Sequence, residues 1–324
     1  MPKVVIGFIT YSNLTAKYLP EFLASLRQQT FTDYQILAID NTPQAEANPN
    51  QEFISKHYPE INLIAVGVNL GFAKAYNRLI IEAIKLGTKY FLIINPDTVL
   101  EPLALEKLVG SLEANAGIGA AGPKTRRWDF INQRRTTMID SCGLVEQSAL
   151  RFIDLGAGQP DRGQFDYQSI LAPSGAAGLW RLDALQDIRI KNQYFDERFF
   201  LYKEDCDLAK RLQLAGWQAV VVPSAVVYHA RTARADGKSW LDKLRYRAAK
   251  TSQVNYLSFI GQEILFYKYR PWQNGWQRLS IGAYRLVSLV YALLFEKWLL
   301  AAYREAKALR PGLQAESSLI RVKK

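Results

Sequence analysis

The chain predicts an α/β fold with a mainly parallel central sheet, followed by a helical C-terminal extension. Two observations carry that reading. Short apolar runs alternate with helical patterns through roughly the first 120 residues, at the spacing of βαβ units. The charge is also divided. Residues 1–230 hold 23 Lys and Arg against 24 Asp and Glu, while residues 231–324 hold 18 against 6, so the whole excess of the +11 chain lies in its last part. The boundary predicted from this split puts a catalytic unit at 1–232 and a basic, aromatic-rich helical region at 233–324.

The strands come first. "VVIGFIT" (4–10), "YQILAI" (34–39), "LIAV" (63–66) and "YFLIIN" (90–95) are continuous apolar runs, as strands covered on both faces should be. Helical patterns lie between them at 15–28, 51–57 and 72–86, the last ending on Gly87 as a C-terminal cap. After "GIGAAGP" (117–123) the chain turns polar, and 124–170 reads as hairpins and loops. "ILAPSGAAGLW" (170–180) reads as a strand interrupted by small residues, "EDCDLAKRLQLAGW" (204–217) as a helix ending at Gly216, and "QAVVVPSAVVYH" (218–229) as a strand. Two cysteines, Cys142 and Cys206, form no CxxC pair, so neither a disulfide framework nor a zinc site is expected. That usage fits a reducing, cytoplasmic setting, and the first residues lack the layout of a signal peptide.

The tail reads as helices from about 240. Residues 279–303 are apolar on most sides, with Arg285, Ser288 and Glu296 along one narrow face. The strongly apolar stretch is about ten residues, against roughly 20 needed to span a bilayer. Two readings remain open and compatible: a helix lying in a membrane interface, with contacts through 240–310, or a helix packed on the catalytic unit. Basic residues among aromatics also occur in nucleic-acid binders, but the apolar density favours lipid or protein, so no nucleic acid is expected.

In a parallel sheet, ligands gather at the carboxyl ends of the strands, and four motifs fall there. "AIDNTP" puts Asp40 after a strand, able to accept from a base N–H or to form an Asx turn. "VNLGFAKAYN" puts Asn69 and Gly71 before a helix carrying Asn77, where free N–H groups favour a phosphate. "IINPDT" ends a buried strand on Asn95 and Asp97. A carboxylate there suits a hard divalent cation, or simply a turn. "FFLYKEDCDLAKRL" places Glu204, Asp205 and Asp207 within four positions, more acids than a helix start needs. Acids so close resist ionisation and gain basicity. His229 follows the strand "SAVVYH" and can serve a metal or a phosphate.

In this order, "ITYSN", "AIDNTP", "VNLGFAKAYN", "INPDT", "PSGAAGLWR", "FFLYKEDCDLAKRL" and "VYH" resemble glycosyltransferase family 2, the inverting nucleotide-sugar transferases with a GT-A fold. The resemblance covers about residues 3–232 and is nearest to the rhamnosyltransferase-type branch that builds surface polysaccharides. It implies a nucleotide-sugar donor, dTDP-L-rhamnose before UDP-sugars, and a glycan or lipid-linked acceptor. It implies Mg²⁺ or Mn²⁺ held by Asp97 and His229. Asp205 would be the catalytic base, supported by Glu204. Thr10, Asp40, Asn69, Gly71, Asn77 and Asn95 would bind the nucleotide-sugar. Ser174, Gly175, Ala176 and Ala177 would form the acceptor and sugar pocket.

This chain departs from the pattern in two places. Asn95-Pro96-Asp97 stands where many relatives have Asp-x-Asp, so the metal loses a carboxylate and should bind weakly without nucleotide. Lys203 adds positive charge directly before the acid pair. Two other readings share the fold class. A non-catalytic sugar-nucleotide binder would not need both Asp97 and Asp205. A nucleotidyltransferase would resemble a Gly-rich loop after the first strand, where this chain has "TYSNLTAKY".

Overall fold

A computed structural model describes residues 1–230 and 251–323. The predicted 232/233 boundary and the start of the helical tail lie outside the described residues.

The chain runs β1 (Val4–Thr10), α1 (Ser12–Ala16), α2 (Leu19–Arg27), β2 (Tyr34–Asp40), α3 (Pro49–His57), β3 (Asn62–Ala65), α4 (Gly71–Lys85), β4 (Tyr90–Ile94), β5 (Thr98–Leu100) and α5 (Ala104–Ala114). There follow β6 (Ile118–Asp129), β7 (Arg134–Ser141), β8 (Leu144–Gln147), β9 (Arg151–Asp154), β10 (Ala177–Arg181), α6 (Leu182–Asp187), α7 (Glu204–Leu214) and β11 (Gln218–His229). The C-terminal helices are α8 (Ser252–Lys268), α9 (Gly275–Leu294) and α10 (Leu299–Ser317). The single helix expected at 15–28 is two, because Pro20 in the first turn of α2 has no N–H with which to continue α1. Gly87 and Gly216 take the left-handed conformation after α4 and α7, as expected of C-terminal glycines.

One large sheet is ordered β3-β2-β1-β4-β10-β6-β11-β5, with β7 added beside β6. β3, β2, β1 and β4 are parallel, as are β6 and β11. β10 enters antiparallel between β4 and β6, and β5 antiparallel beside β11. β8 and β9 form a separate hairpin. The apolar runs lack alternation because both faces of the sheet are covered. Val4, Ile6 and Phe8 of β1 meet the side of α2, α3 and α5, while Val5 meets the side of α4, α6 and α7. A third core joins Phe199 and Cys206 to Ile264 and Leu265 of α8 and to Ala302 and Leu313 of α10. The C-terminal helices therefore share a core with the α7 region. Among the described residues no helix is long and apolar enough to cross a membrane.

Candidate active site

The carboxyl ends of the central strands open into a cavity of about 560 Å³. Its wall includes Asn95, Asp97, Ser174, Gly175, Ala176, Glu204, Asp205 and His229, all predicted site residues, together with Asp140 and Lys203. Residues separated by up to 134 positions in sequence meet here because of strand register.

The Asp97–His229 pair shows how. Thr98 stands opposite His229 in the β5–β11 pairing, so the residue before Thr98 faces the histidine ring. The Ala230 N–H donates to the Asp97 carbonyl (2.8 Å) and closes the corner. The Asn95 N–H donates to the Ala176 carbonyl (2.9 Å), and the Thr98 hydroxyl to the Asn95 carbonyl (2.6 Å). His229 Nε2 then lies 3.2 Å from Asp97 Oδ2, and His229 Nδ1 lies 2.8 Å from Asp140 Oδ2. Burial opposes a charged imidazole, but the two carboxylates outweigh it and raise the His229 pKa to about 10. Burial would also raise the Asp97 carboxyl, yet the adjacent ring wins and holds it below the usual range.

Asp140 is the residue of this cluster that sequence reasoning missed. It is 1% exposed, in a strand that begins "RRTTM" and carries no strand-end signal. By occupying Nδ1 it fixes the ring so that Nε2 looks toward Asp97 and the cavity.

Asp205 sits in the first turn of α7. Tyr202 and Lys203, just before it, both take left-handed backbone (φ 72° and 75°), a strain that aims the helix start at the cavity. The Gly175 N–H donates to Asp205 Oδ2 (3.2 Å) and the Cys206 N–H to Asp205 Oδ1 (2.8 Å). A β-carbon on Gly175 would lie 3.3 Å from Asp205 Oδ2, so the small-residue loop is what lets the carboxylate approach. Glu204 is buried with Oε2 unpartnered; burial first, then Asp205 beside it, raise its carboxyl pKa well above the usual range.

Other predicted residues stand elsewhere. Asp207 is not a third acid of the site: it is fully buried and paired with Arg211 (2.9 Å) and Lys268 (2.7 Å). Asn77 is turned into the protein, accepting from the N–H groups of Tyr194 and Phe195 and donating to the Phe195 carbonyl and Glu197. The α4 start is not an open phosphate nest either. Asn69 Oδ1 accepts the Gly71 N–H (2.9 Å), and the Phe200 carbonyl accepts the Phe72 N–H (2.8 Å). Gly71 is required because a β-carbon would fall 2.4 Å from the Phe200 carbonyl oxygen. Ala177 lies within β10, opposite Ile94.

Thr10 and Asp40 form a second feature, at the ends of the paired strands β1 and β2. The Thr42 N–H donates to Asp40 Oδ1 (2.7 Å), which is the Asx turn. Asp40 Oδ2 and Thr10 Oγ1 remain buried without a partner.

Asp97 and His229 converge at the cavity wall, and once Nε2 gives up its proton the carboxylate and imidazole are a donor pair suited to Mg²⁺ or Mn²⁺. Among the described residues no three such side chains surround a common point.

The profile of the family described as "Glycosyltransferase like family 2" matches residues 8–250. The chain is 30% identical over 240 residues to an N-acetylglucosaminyl-diphospho-decaprenol L-rhamnosyltransferase of Mycobacterium tuberculosis, covering 68% of this chain and 74% of that protein. Among solved structures it is similar to the mannosyltransferase PcManGT from Pyrobaculum calidifontis in complex with GDP-Man and Mn²⁺. The TM-score is 0.52 at 16% identity, over 96% of this chain and 75% of that one. It is also similar to S. aureus TarS in complex with UDP, with a TM-score of 0.51 at 14% identity, over 98% and 87% of the two chains. These two likenesses show the fold, which is GT-A.

Proposed function

The chain belongs to the glycosyltransferase-like family 2, and from that premise we propose that it transfers one sugar, with inversion, from a nucleoside-diphosphate donor to a hydroxyl of a lipid-linked glycan. The donor is taken as dTDP-L-rhamnose and the acceptor as a diphospho-lipid sugar, by analogy with the relative named for L-rhamnosyl transfer. The setting is the cytoplasmic face of the membrane, in keeping with two buried free cysteines.

One observation carries the reading: a single cavity joins Asp205 to the Asp97–His229 pair. Inverting transfer needs a base at the acceptor and charge relief at the leaving group. Asp205, oriented by the Gly175 and Cys206 N–H groups, takes the proton of the acceptor hydroxyl. That oxygen forms a bond to the anomeric carbon from the face opposite the diphosphate, and the bond from carbon to the diphosphate oxygen breaks. The electron pair leaves with the nucleoside diphosphate. A divalent ion held by Asp97 and His229 would neutralise the charge growing on that leaving group. Asp140 keeps the histidine ring in place, and Thr10 and Asp40 receive the nucleoside.

The test pairs Asp205→Asn with a donor screen. The variant should bind donor as the wild type does and lose about 10²–10⁴-fold in kcat. Full activity in the variant would remove Asp205 as the base. Thermal shifts with dTDP-, UDP- and GDP-sugars, with and without Mn²⁺, identify the donor. Stabilisation by none of them would overturn the transferase reading.

A further inference from the structure

Helix α9 is built inside out. Between Arg278 and Glu296 its one charged residue is Arg285, and that residue faces the protein, paired with Glu263 of α8 (2.7 Å) and donating to the Tyr267 hydroxyl (2.8 Å). The Tyr303 hydroxyl donates to the Arg285 carbonyl on the same side. The outward side is apolar. Trp276, Leu279, Leu286, Val287, Val290, Leu293 and Leu294 recur at helical spacing and are 46–79% exposed. Of the 20 residues in α9, the buried ones are Ile281 and Ala292. From Trp276 to Leu294 the stripe is about 27 Å long, at 1.5 Å per residue.

We propose that this face of α9 docks the protein on an anionic lipid surface, lying in the interface rather than crossing it. The charges around the stripe select that occupant. Arg278 flanks its start, Lys297 follows its end, and Arg304 and Lys307 are exposed on α10. Of the acids nearby, Glu263 is paired with Arg285 and Glu316 with Arg198, while Glu296 and Glu305 accept from the Tyr291 and Tyr256 hydroxyls and keep their charge, so the four cations outnumber them two to one. What faces outward is an apolar strip with a cation near each end and the indole of Trp276 at its start, while Trp298, past its end, stacks on Tyr256. This is the composition of a helix lying at headgroup depth.

The surface is also placed for the reaction. α9 rests on the turn at 148–150, where the Ala149 N–H donates to Ser280 Oγ (3.2 Å), and Arg151 lies over the Tyr284 ring (5.7 Å). The same turn joins β8 to β9, whose Phe152, Ile153 and Asp154 line the cavity. One hairpin therefore connects the lipid-facing helix to the wall of the cavity where the acceptor would be attacked. This last step rests on the transferase reading; the docking does not.

Flotation of the full chain with phosphatidylcholine vesicles, with and without phosphatidylglycerol, tests the proposal. The wild type should float with anionic vesicles, and Leu286→Glu/Val290→Glu should lower its partition by about tenfold or more. Both positions are exposed, so the thermal midpoint and transfer to a short water-soluble acceptor should be unchanged. Arg278→Gln/Lys297→Gln should weaken binding to anionic vesicles in particular. A wild type that floats with neither vesicle, or a double glutamate variant that floats as well as wild type, overturns the docking. So does a dimer in sedimentation that the glutamate variant dissolves, since a second copy would then cover the face. Intact flotation with no transferase activity would instead sink the function and leave the docking standing.

Discussion

α8 and α9 are neighbours in sequence, similar in length, and opposite in what they bury. α8 buries nine consecutive residues, Ile260–Lys268, polar ones included, whereas α9, the more apolar of the two, buries two. Gln262 donates to the Leu150 carbonyl, Glu263 meets Arg285, and Lys268 meets Asp196 and Asp207. Gly261 lets α8 approach the strained loop before Asp205, since a β-carbon there would lie 3.1 Å from both the Tyr202 carbonyl oxygen and Lys203 Cβ. The difference shows that composition does not decide burial here. A charged side chain goes in where partners wait for it, and an apolar one stays out where the protein offers no surface.

The strongest way to break the comparison is at Lys268. Its ammonium is fully buried, 2.8 Å from Asp196 and 2.7 Å from Asp207. Lys268→Met keeps the bulk and removes the charge, leaving two buried carboxylates short of a partner. Urea unfolding should show a loss of about 3–5 kcal/mol. A loss below about 1 kcal/mol would mean that α8 is not held by this cluster.

A smaller effect sits at the junction of the two helices. Burial raises the Glu263 carboxyl to about 7, against an ordinary 4.5, although Arg285 pulls the other way. Burial wins because Glu263 is almost wholly enclosed while Arg285 is about a third exposed. A raised folded-state pKa means that the folded chain binds the proton more tightly than the unfolded chain. The stability this gives is full below about pH 4.5 and is lost as pH rises through about 7. The loss should be of the order of 2–3 kcal/mol by linkage. Denaturant midpoints across that interval should fall in the wild type and stay level in Glu263→Gln. A level wild-type profile would show that Glu263 is already ionised in the folded chain.

The sequence carried the sheet and the site corner and missed what depends on distant partners. Apolar runs marked the strands because both faces of the sheet are covered, and strand ends marked Asp97 and His229 because ligands gather there; Asp205 was marked by its run of acids, and it stands at a helix start rather than a strand end. Asp140 was invisible because it reaches His229 through the pairing of β7 with β6 and of β6 with β11, not through its own neighbours in the chain. Asn77 sat in a ligand-like motif, yet its hydrogen bonds go to residues 117–120 positions away. Asp207 had the same spacing as Asp205, but α8 supplies it with Lys268. For α9 the periodicity gave a narrow polar stripe of Arg285, Ser288 and Glu296. Periodicity does not say which side faces water, and the partner that turns Arg285 inward, Glu263, lies 22 residues earlier.

The smallest expected effect, at Leu286, sharpens the comparison most when it is set against the same change at a buried leucine. Leu265→Ala in α8 removes a side chain with no exposed surface and should cost about 2–5 kcal/mol, because it leaves a cavity in the core shared with α10. Leu286→Ala in α9 makes the same chemical change at a side chain 62% exposed, with water already on most of it. It should shift stability by no more than about 0.5 kcal/mol. Dilute protein in chemical denaturation, without lipid, reads both. Should Leu286→Ala cost as much as Leu265→Ala, and should that cost grow with protein concentration, another copy is burying the α9 face in solution. A cost near zero at every concentration leaves α9 as a surface whose partner is absent from the isolated chain.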